Sequence, residues 1–345
     1  MTIHIINKSS IGSNKLRISN ILLREAINKW SIIINNINVS MDQSSKSKEN
    51  SIYKISYMKG IEASRNFLEE AKIKGLVILN SSDRYFSHNI QLWCIWFRNI
   101  GIQNIVVMSD INKIKEDDLC IIISHFYNNC RSKKYIAIQT EDLVQRQNIW
   151  TNIIEKAWAT WDYSHNNINF LIKKYNIQNI VQVPINYSDN TILFKNIIFN
   201  KSYEQRNIDI IVPMHGNRRK KIKKQLVNLG LSCISIWRND LPKYVNKCKI
   251  FLNVHRDNEN SALEVHRLFD VRNVAIVVIS ESSLDINYQN DLNAIPFIKY
   301  DNIVDLCLTI CKNKILWEKY MNEQLEMWKK FNSEHIYSAL NTSIY

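Results

Sequence analysis

From about Tyr53 the chain alternates short, continuously apolar runs with longer stretches in which apolar residues recur every three or four positions. The runs GLVIL (75–79), NIVVM (104–108), LCIII (119–123), KYIAIQ (134–139) and NIVQV (179–183) are too short for helices and lack polar alternation. That is the pattern of strands buried on both faces. Amphipathic stretches such as SHNIQLWCIWFRNIG and QNIWTNIIEKAW lie between them. After the polar stretch NKSYEQRN (200–207) the rhythm restarts with IDIIV (208–212), SCISI (232–236), KIFLNV (249–254), VAIVVI (274–279) and IPFIK (295–299). Strands alternating with helices, twice in succession, predict two doubly wound α/β domains with parallel sheets.

The ends of this pattern set the expected boundaries. MDQSSKSKENS (41–51) is polar and reads as a loop or linker after an N-terminal segment. The last helical pattern, NKILWEKYMNEQLEMWKKFNSE, has no strand after it and is free to pack back on the first domain. The expected organisation is an N-terminal segment (1–50), a first domain (51–200), a second domain (201–313) and a crossing helix (314–345).

Composition narrows the class. Of 345 residues, 46% are hydrophobic and 22% charged, the profile of a globular chain able to bury two cores. No apolar run is long enough to span a bilayer and no signal peptide is evident, so a cytoplasmic setting (host cytoplasm or virion for a viral source) is expected, with peripheral membrane contact left open. The seven cysteines form no CxxC pair, and Cys307 and Cys311 share a helix face, which points to packing in a reducing compartment. The net charge of +13 points to an anionic partner. The Ile-, Asn- and Lys-rich usage of an AT-rich genome contributes part of that excess.

The densest cationic stretch is MHGNRRKKIKKQLVNLG (214–230). Ile222, Leu226 and Leu229 fall at helical spacing, so a helix begins near Asn217 and ends at Gly230. Arg218, Arg219, Lys220 and Lys221 then occupy a first turn whose dipole disfavours cations by roughly 0.3–1 kcal/mol each. An anion held there would reverse the penalty, with Gly216 letting the backbone approach it. A solvated basic face in a Lys-rich chain is the competing explanation. A second constellation is FLNVHRDNENSALEVHRLFDVRNVAIVVISE (251–281). Ser261 and Glu264 have capping-box spacing for a helix holding His266, Arg267 and Asp270. His255 ends one strand and Glu281 the next, placing both at the carboxyl edge of a parallel sheet, where open α/β folds bind ligands.

Together these blocks resemble the donor-binding half of GT-B-fold glycosyltransferases, and SSDRYFSHNIQLWCIWF, IQTEDL and AWATWDYSHNNINFL resemble the first half of related bacterial and viral sequences of family-1-like type. The resemblance covers about residues 75–312. It implies two Rossmann-like domains facing a cleft, with a nucleotide sugar, UDP- or GDP-linked, as substrate and no cofactor. It further implies that Gly216, Arg218 and Arg219 meet the donor diphosphate and that Glu264 or Glu281 meets the ribose or sugar, with His255, His266 and Arg267 beside them. The widespread retaining subgroup has a second glutamate eight positions on, where this chain has Arg272, so the stereochemical course stays open.

A catalytic base would be a carboxylate at a strand's carboxyl end: Asp83, Glu141 or Asp142. Asp162 in WDYSHNN is expected to turn the chain, with Trp161 and Tyr163 packing between domains. The eight His are dispersed and neither HExxH nor DxD occurs, so no metal site is expected. The leading expectation is a metal-independent hexosyltransferase acting on a glycan, a protein or a modified nucleic acid. A basic nucleic-acid-binding protein, a DNA-base glycosyltransferase and an inactive GT-B-like module are the alternatives.

Overall fold

A computed structural model describes residues 43–80, 83–123, 129–143, 151–183, 201–213, 216–256, 262–272 and 274–331. The chain divides into two compact units, Met1–Lys54 and Ile55–Tyr345, and both sheets belong to the second. The stretch expected to be a linker instead opens a long helix, Gln43–Lys74. It contains no Pro or Gly before Gly60, and its Gln, Ser, Lys and Glu residues are compatible with a helix.

The first sheet holds six parallel strands: β1 (Leu76–Leu79), β2 (Ile105–Met108), β3 (Leu119–Ile123), β4 (Lys134–Gln139), β5 (Ala159–Asp162) and β6 (Ile180–Gln182). Their order is β2-β1-β3-β4-β5-β6. All residues of β3 are buried, as are the central residues of β4, so Ile, Leu and Cys without alternation fill both faces. Strand β5 (ATWD) was not anticipated. Its four residues follow a helical pattern and end on an Asp, so nothing local marked a strand that only its neighbours β4 and β6 complete.

Within the second unit, the part of the Gln43–Lys74 helix around Gly60 and Ser64 lies close against this sheet. A Cβ on Gly60 would stand 2.5 Å from the backbone of Ile180, so only glycine permits the approach. Ser64 Oγ donates back to the Gly60 carbonyl at 2.7 Å and accepts from Trp161 Nε1 at 2.9 Å, while Trp158 Nε1 donates to the Ala63 carbonyl. Trp161 therefore packs inside the first half, beside Trp96 and Phe97, and not between the two halves.

The second sheet is also parallel: β7 (Ile208–Pro213), β8 (Cys233–Ile236), β9 (Cys248–Asn253), β10 (Val277–Glu281) and β11 (Phe297–Ile298), in the order β11-β10-β9-β7-β8. Strand β10 starts later than VAIVVI suggested, because Val274 and Ile276 close tight turns after the preceding helix while staying buried. Cys307 and Cys311 are buried on one face of the helix Ile303–Lys312. The helix Lys314–Lys330 packs on this second sheet: Trp317 Nε1 donates to the Lys249 carbonyl, and Gln324 bonds both the N–H and the carbonyl of Val278. Residues 332–345, the remainder of the expected crossing helix, lie outside the described residues, as do residues 1–42. No described helix is long and apolar enough to cross a membrane.

The carboxyl ends of the two sheets meet. Asp142, after β4, accepts from the Ala262 N–H beyond β9 at 2.9 Å. Ser164, after β5, donates to Asp285 beyond β10 at 2.9 Å. Arg238, after β8, bonds Asn89 in the helix Asp83–Asn99. Tyr163 sits edge-on to His266, ring centroids 6.5 Å apart, as the interdomain expectation for Tyr163 required.

Candidate functional site

In an open α/β sheet the crevice lies where strand order reverses, because the two flanking crossovers leave in opposite directions. In the second sheet that point lies between β7 and β9. Beyond β7, Gly216 is the N-cap of the helix Asn217–Asn228 and supplies no side-chain cap. Beyond β9 come Val254 and His255. The helix forms where expected and Gly230 closes it at φ 85°. Ile222 and Leu226 are buried, but Leu229 is 46% exposed, because the helix unwinds one residue before its side chain would reach the core.

The two arginines of the first turn point across this crevice. Arg218 forms a two-pronged pair with Glu281, Nη1–Oε2 at 2.9 Å and Nη2–Oε1 at 2.6 Å. Its guanidinium lies 4.1 Å from the ring centre of Tyr300, whose hydroxyl donates to the Arg218 carbonyl. Arg219 donates to the Val254 carbonyl at 2.8 Å and to Glu264 Oε1 at 2.9 Å. Arg267 reaches Glu264 Oε1 at 3.1 Å, and His255 Nδ1 lies 3.0 Å from Glu264 Oε2. The His255 Nε2 stands 2.8 Å from the Ser282 carbonyl, and its backbone N–H donates to Glu281 Oε2 at 2.9 Å.

Three guanidinium groups thus surround two carboxylates, and the anions that the basic helix start requires are partly the protein's own. Burial opposes charge on Glu264, yet Arg267, His255 and Arg219 outweigh it and hold the carboxyl well below its ordinary range. Burial likewise opposes a charged His255, but the Glu264 partner leaves its pKa raised. Side-chain exposure separates the roles: Glu281 is 1% and Arg219 2% exposed, whereas Arg218 keeps 17% and Glu264 15%.

The helix Val265–Asp270 starts after Glu264, so the expected capping box does not form on the glutamate's side; its carboxylate turns to the arginines, and Ser261 lies outside the described residues. His266, though in this helix, is not a member of the ion-pair network. Burial, then Arg267 and Arg238, depress its pKa to about 3, and its Nδ1 makes no hydrogen bond. Asp270 pairs with Arg238 instead.

On the facing edge, Asp83 opens the helix after β1, at the switch point of the first sheet; only its backbone is described. Glu141 and Asp142 follow β4. Asn167 holds their loop, donating to the Glu141 carbonyl at 2.8 Å and accepting from the Leu143 N–H at 3.0 Å. Asp142 bonds Ala262, two residues before Glu264, so the structure joins a candidate base to the donor-side loop. Asp162 turns the chain as expected, its Oδ1 accepting from the Ser164 N–H at 2.7 Å, and burial pushes its carboxyl well up. Asn167, Asp285 and Tyr300 carried no local signal. Among the described residues, no cluster of three His, Cys, Asp or Glu side chains forms a metal-ligand set.

No protein-family model matches the chain. A curated, uncharacterized protein of Acanthamoeba polyphaga mimivirus is 26% identical over 221 residues, covering 58% of this chain and 69% of its own. Among solved structures, T4 phage BGT in complex with UDP and Mn2+ aligns over 77% of this chain and 99% of its own, with a TM-score of 0.50 and 12% identity. An α-glucosyltransferase in complex with UDP aligns over 76% and 97%, with a TM-score of 0.50 and 9% identity. A structure described as the DNA modifying enzyme β-glucosyltransferase aligns over 77% and 99%, with a TM-score of 0.50 and 13% identity. The two parallel-sheet α/β halves therefore share the GT-B fold that the sequence resemblance implied.

Proposed function

We propose that the protein is a metal-independent glycosyltransferase that moves a hexose from a nucleotide-linked donor, UDP-linked before GDP-linked, to an acceptor hydroxyl. The observation that carries this reading is the carboxylate-trimmed arginine cluster at the switch point of the second sheet, on a helix start with no side-chain cap. The partly exposed Arg218 and the turn after Gly216 take the diphosphate, where negative charge builds on the leaving group. Glu264 takes ribose or sugar hydroxyls through its accessible edge. Glu281 holds the Arg218 fork, while Arg219, Arg267 and His255 hold Glu264.

In this reading residues 51–200 form the acceptor half and residues 201–313 the donor half, with the helix Lys314–Lys330 supporting the donor sheet. Asp83, Glu141 and Asp142 are the candidate bases. The amide variant of the true base should lose roughly 10²–10⁴ in kcat and keep its affinity for UDP. UDP leads because two of the solved structures sharing the fold hold it. Modified nucleic acid is the acceptor class to test first: one structural neighbour is a DNA-modifying enzyme, and the +13 charge suits a polyanion.

Calorimetric titration with UDP and GDP, and incubation with a panel of UDP- and GDP-sugars, tests the reading. Micromolar-range UDP binding with donor hydrolysis in excess chelator is the expected result. Absence of nucleotide binding together with absence of hydrolysis overturns it. Binding without transfer to DNA, glycan or protein acceptors would instead mark an inactive sugar-nucleotide module.

A further inference from the structure

The loop that carries Glu264 is held by a closed ring of hydrogen bonds spanning both sheets. Asp285, 1% exposed, accepts from the Leu263 N–H at 2.9 Å through Oδ2, and from Ser164 Oγ at 2.9 Å and the Asn166 N–H at 3.1 Å through Oδ1. Ser164 Oγ accepts from the Asn167 N–H at 3.2 Å, and the Asn167 side chain holds Glu141 and Leu143. Asp142, inside that loop, returns to Ala262, the neighbour of Leu263. Two loops with opposite expected roles, one presenting a donor-side carboxylate and one presenting candidate bases, are thereby fixed to one another through two carboxylates, Asp142 directly and Asp285 by way of Ser164 and Asn167.

We propose that Asp285 is a positioning residue that sets Glu264 for the donor and registers the Glu141–Leu143 loop against it. The assignment rests on the donor reading above for its effect on nucleotide, and on geometry alone for the ring. Asp285 is suited to the task because a carboxylate accepts three hydrogen bonds at once and offers no donor to clash with the two N–H groups. Its position at the start of the helix His165–Tyr175 adds a favourable dipole interaction. An asparagine keeps the shape, but one of its two ends must present N–H groups to N–H or O–H donors.

The test compares wild type, Asp285→Asn, Glu264→Gln and the double variant by UDP titration, amide hydrogen exchange and thermal melting. Asp285→Asn should bind UDP about tenfold more weakly, the scale of one lost hydrogen bond to a charged group. In the Glu264→Gln background it should have little further effect, because it acts through that side chain. The Leu263 amide should exchange about tenfold faster while global unfolding is unchanged. UDP affinity within twofold of wild type, or losses that add fully in the double variant, would overturn the donor-positioning role. If wild type binds no UDP, the donor reading falls, yet exchange at Leu263 still decides the ring: unchanged protection in Asp285→Asn sinks it. Should Asp285→Asn not fold, Ser164→Ala interrupts the ring at two bonds, those to Asp285 and from the Asn167 N–H, and is read the same way, through the Asn166 and Leu143 amides.

Discussion

Arg218 and Arg219 are adjacent in the chain and carry the same charge, yet they face different consequences of substitution. Arg218→Lys keeps the charge but loses the fork on Glu281 and the stacking on Tyr300. We expect UDP affinity to drop about tenfold with the melting temperature nearly unchanged. Arg219→Ala removes a buried partner of Glu264, and leaving that charge poorly compensated should destabilise the protein by about 3–5 kcal/mol in urea unfolding. Acidity separates the same residues. The folded Glu264 carboxyl lies well below its ordinary value of 4.5, so its contribution is fully present above that pH and is lost progressively as pH falls from there through the lower folded value. In Glu264→Gln, the steep loss of urea stability between about pH 5 and pH 2 should therefore flatten. An unchanged acid limb would refute the pairing.

Among the elements, the helix Asn217–Asn228 shows how far periodicity reaches. Three apolar positions were legible at helical spacing, but the last, Leu229, lies past the end of the helix and faces solvent. Leu226→Ala should cost about 2–5 kcal/mol, and Leu229→Ala under about 0.5 kcal/mol, measured by chemical denaturation. The helix Gln43–Lys74 adds a test of close packing. Gly60→Ala should destabilise by about 1–3 kcal/mol, although alanine is the better helix former, because its Cβ would meet the Ile180 backbone. A neutral or stabilising result would show that helix and sheet can separate freely. Strand β5 teaches the converse: ATWD is a strand because β4 and β6 flank it, not because its four residues alternate or form an apolar run.

At the level of the whole molecule, nucleotide binding and stability are linked wherever the folded state alone forms the site. At a UDP concentration about 100-fold above Kd, the protein should gain about 2.7 kcal/mol, seen as a rise in melting temperature. That rise should shrink in Arg218→Lys in step with its weaker affinity.

What the sequence determined by itself was whatever depends on neighbours a few positions apart. The apolar runs specified ten of the strands and the helical spacing specified the basic helix, while the grouping of Arg218, Arg219, Glu264 and Glu281 came from the resemblance of whole blocks to GT-B sequences. Which glutamate each arginine meets was decided only in three dimensions: the pairs lie 63 and 45 positions apart, and no local rule orders them. The same holds for Tyr300 under Arg218 and for Asp285, whose ring joins residues more than a hundred positions apart. Periodicity records which face of an element is buried, whereas the partners of a buried charge are fixed by how strand order brings loop ends together. Low dielectric then makes those partners obligatory.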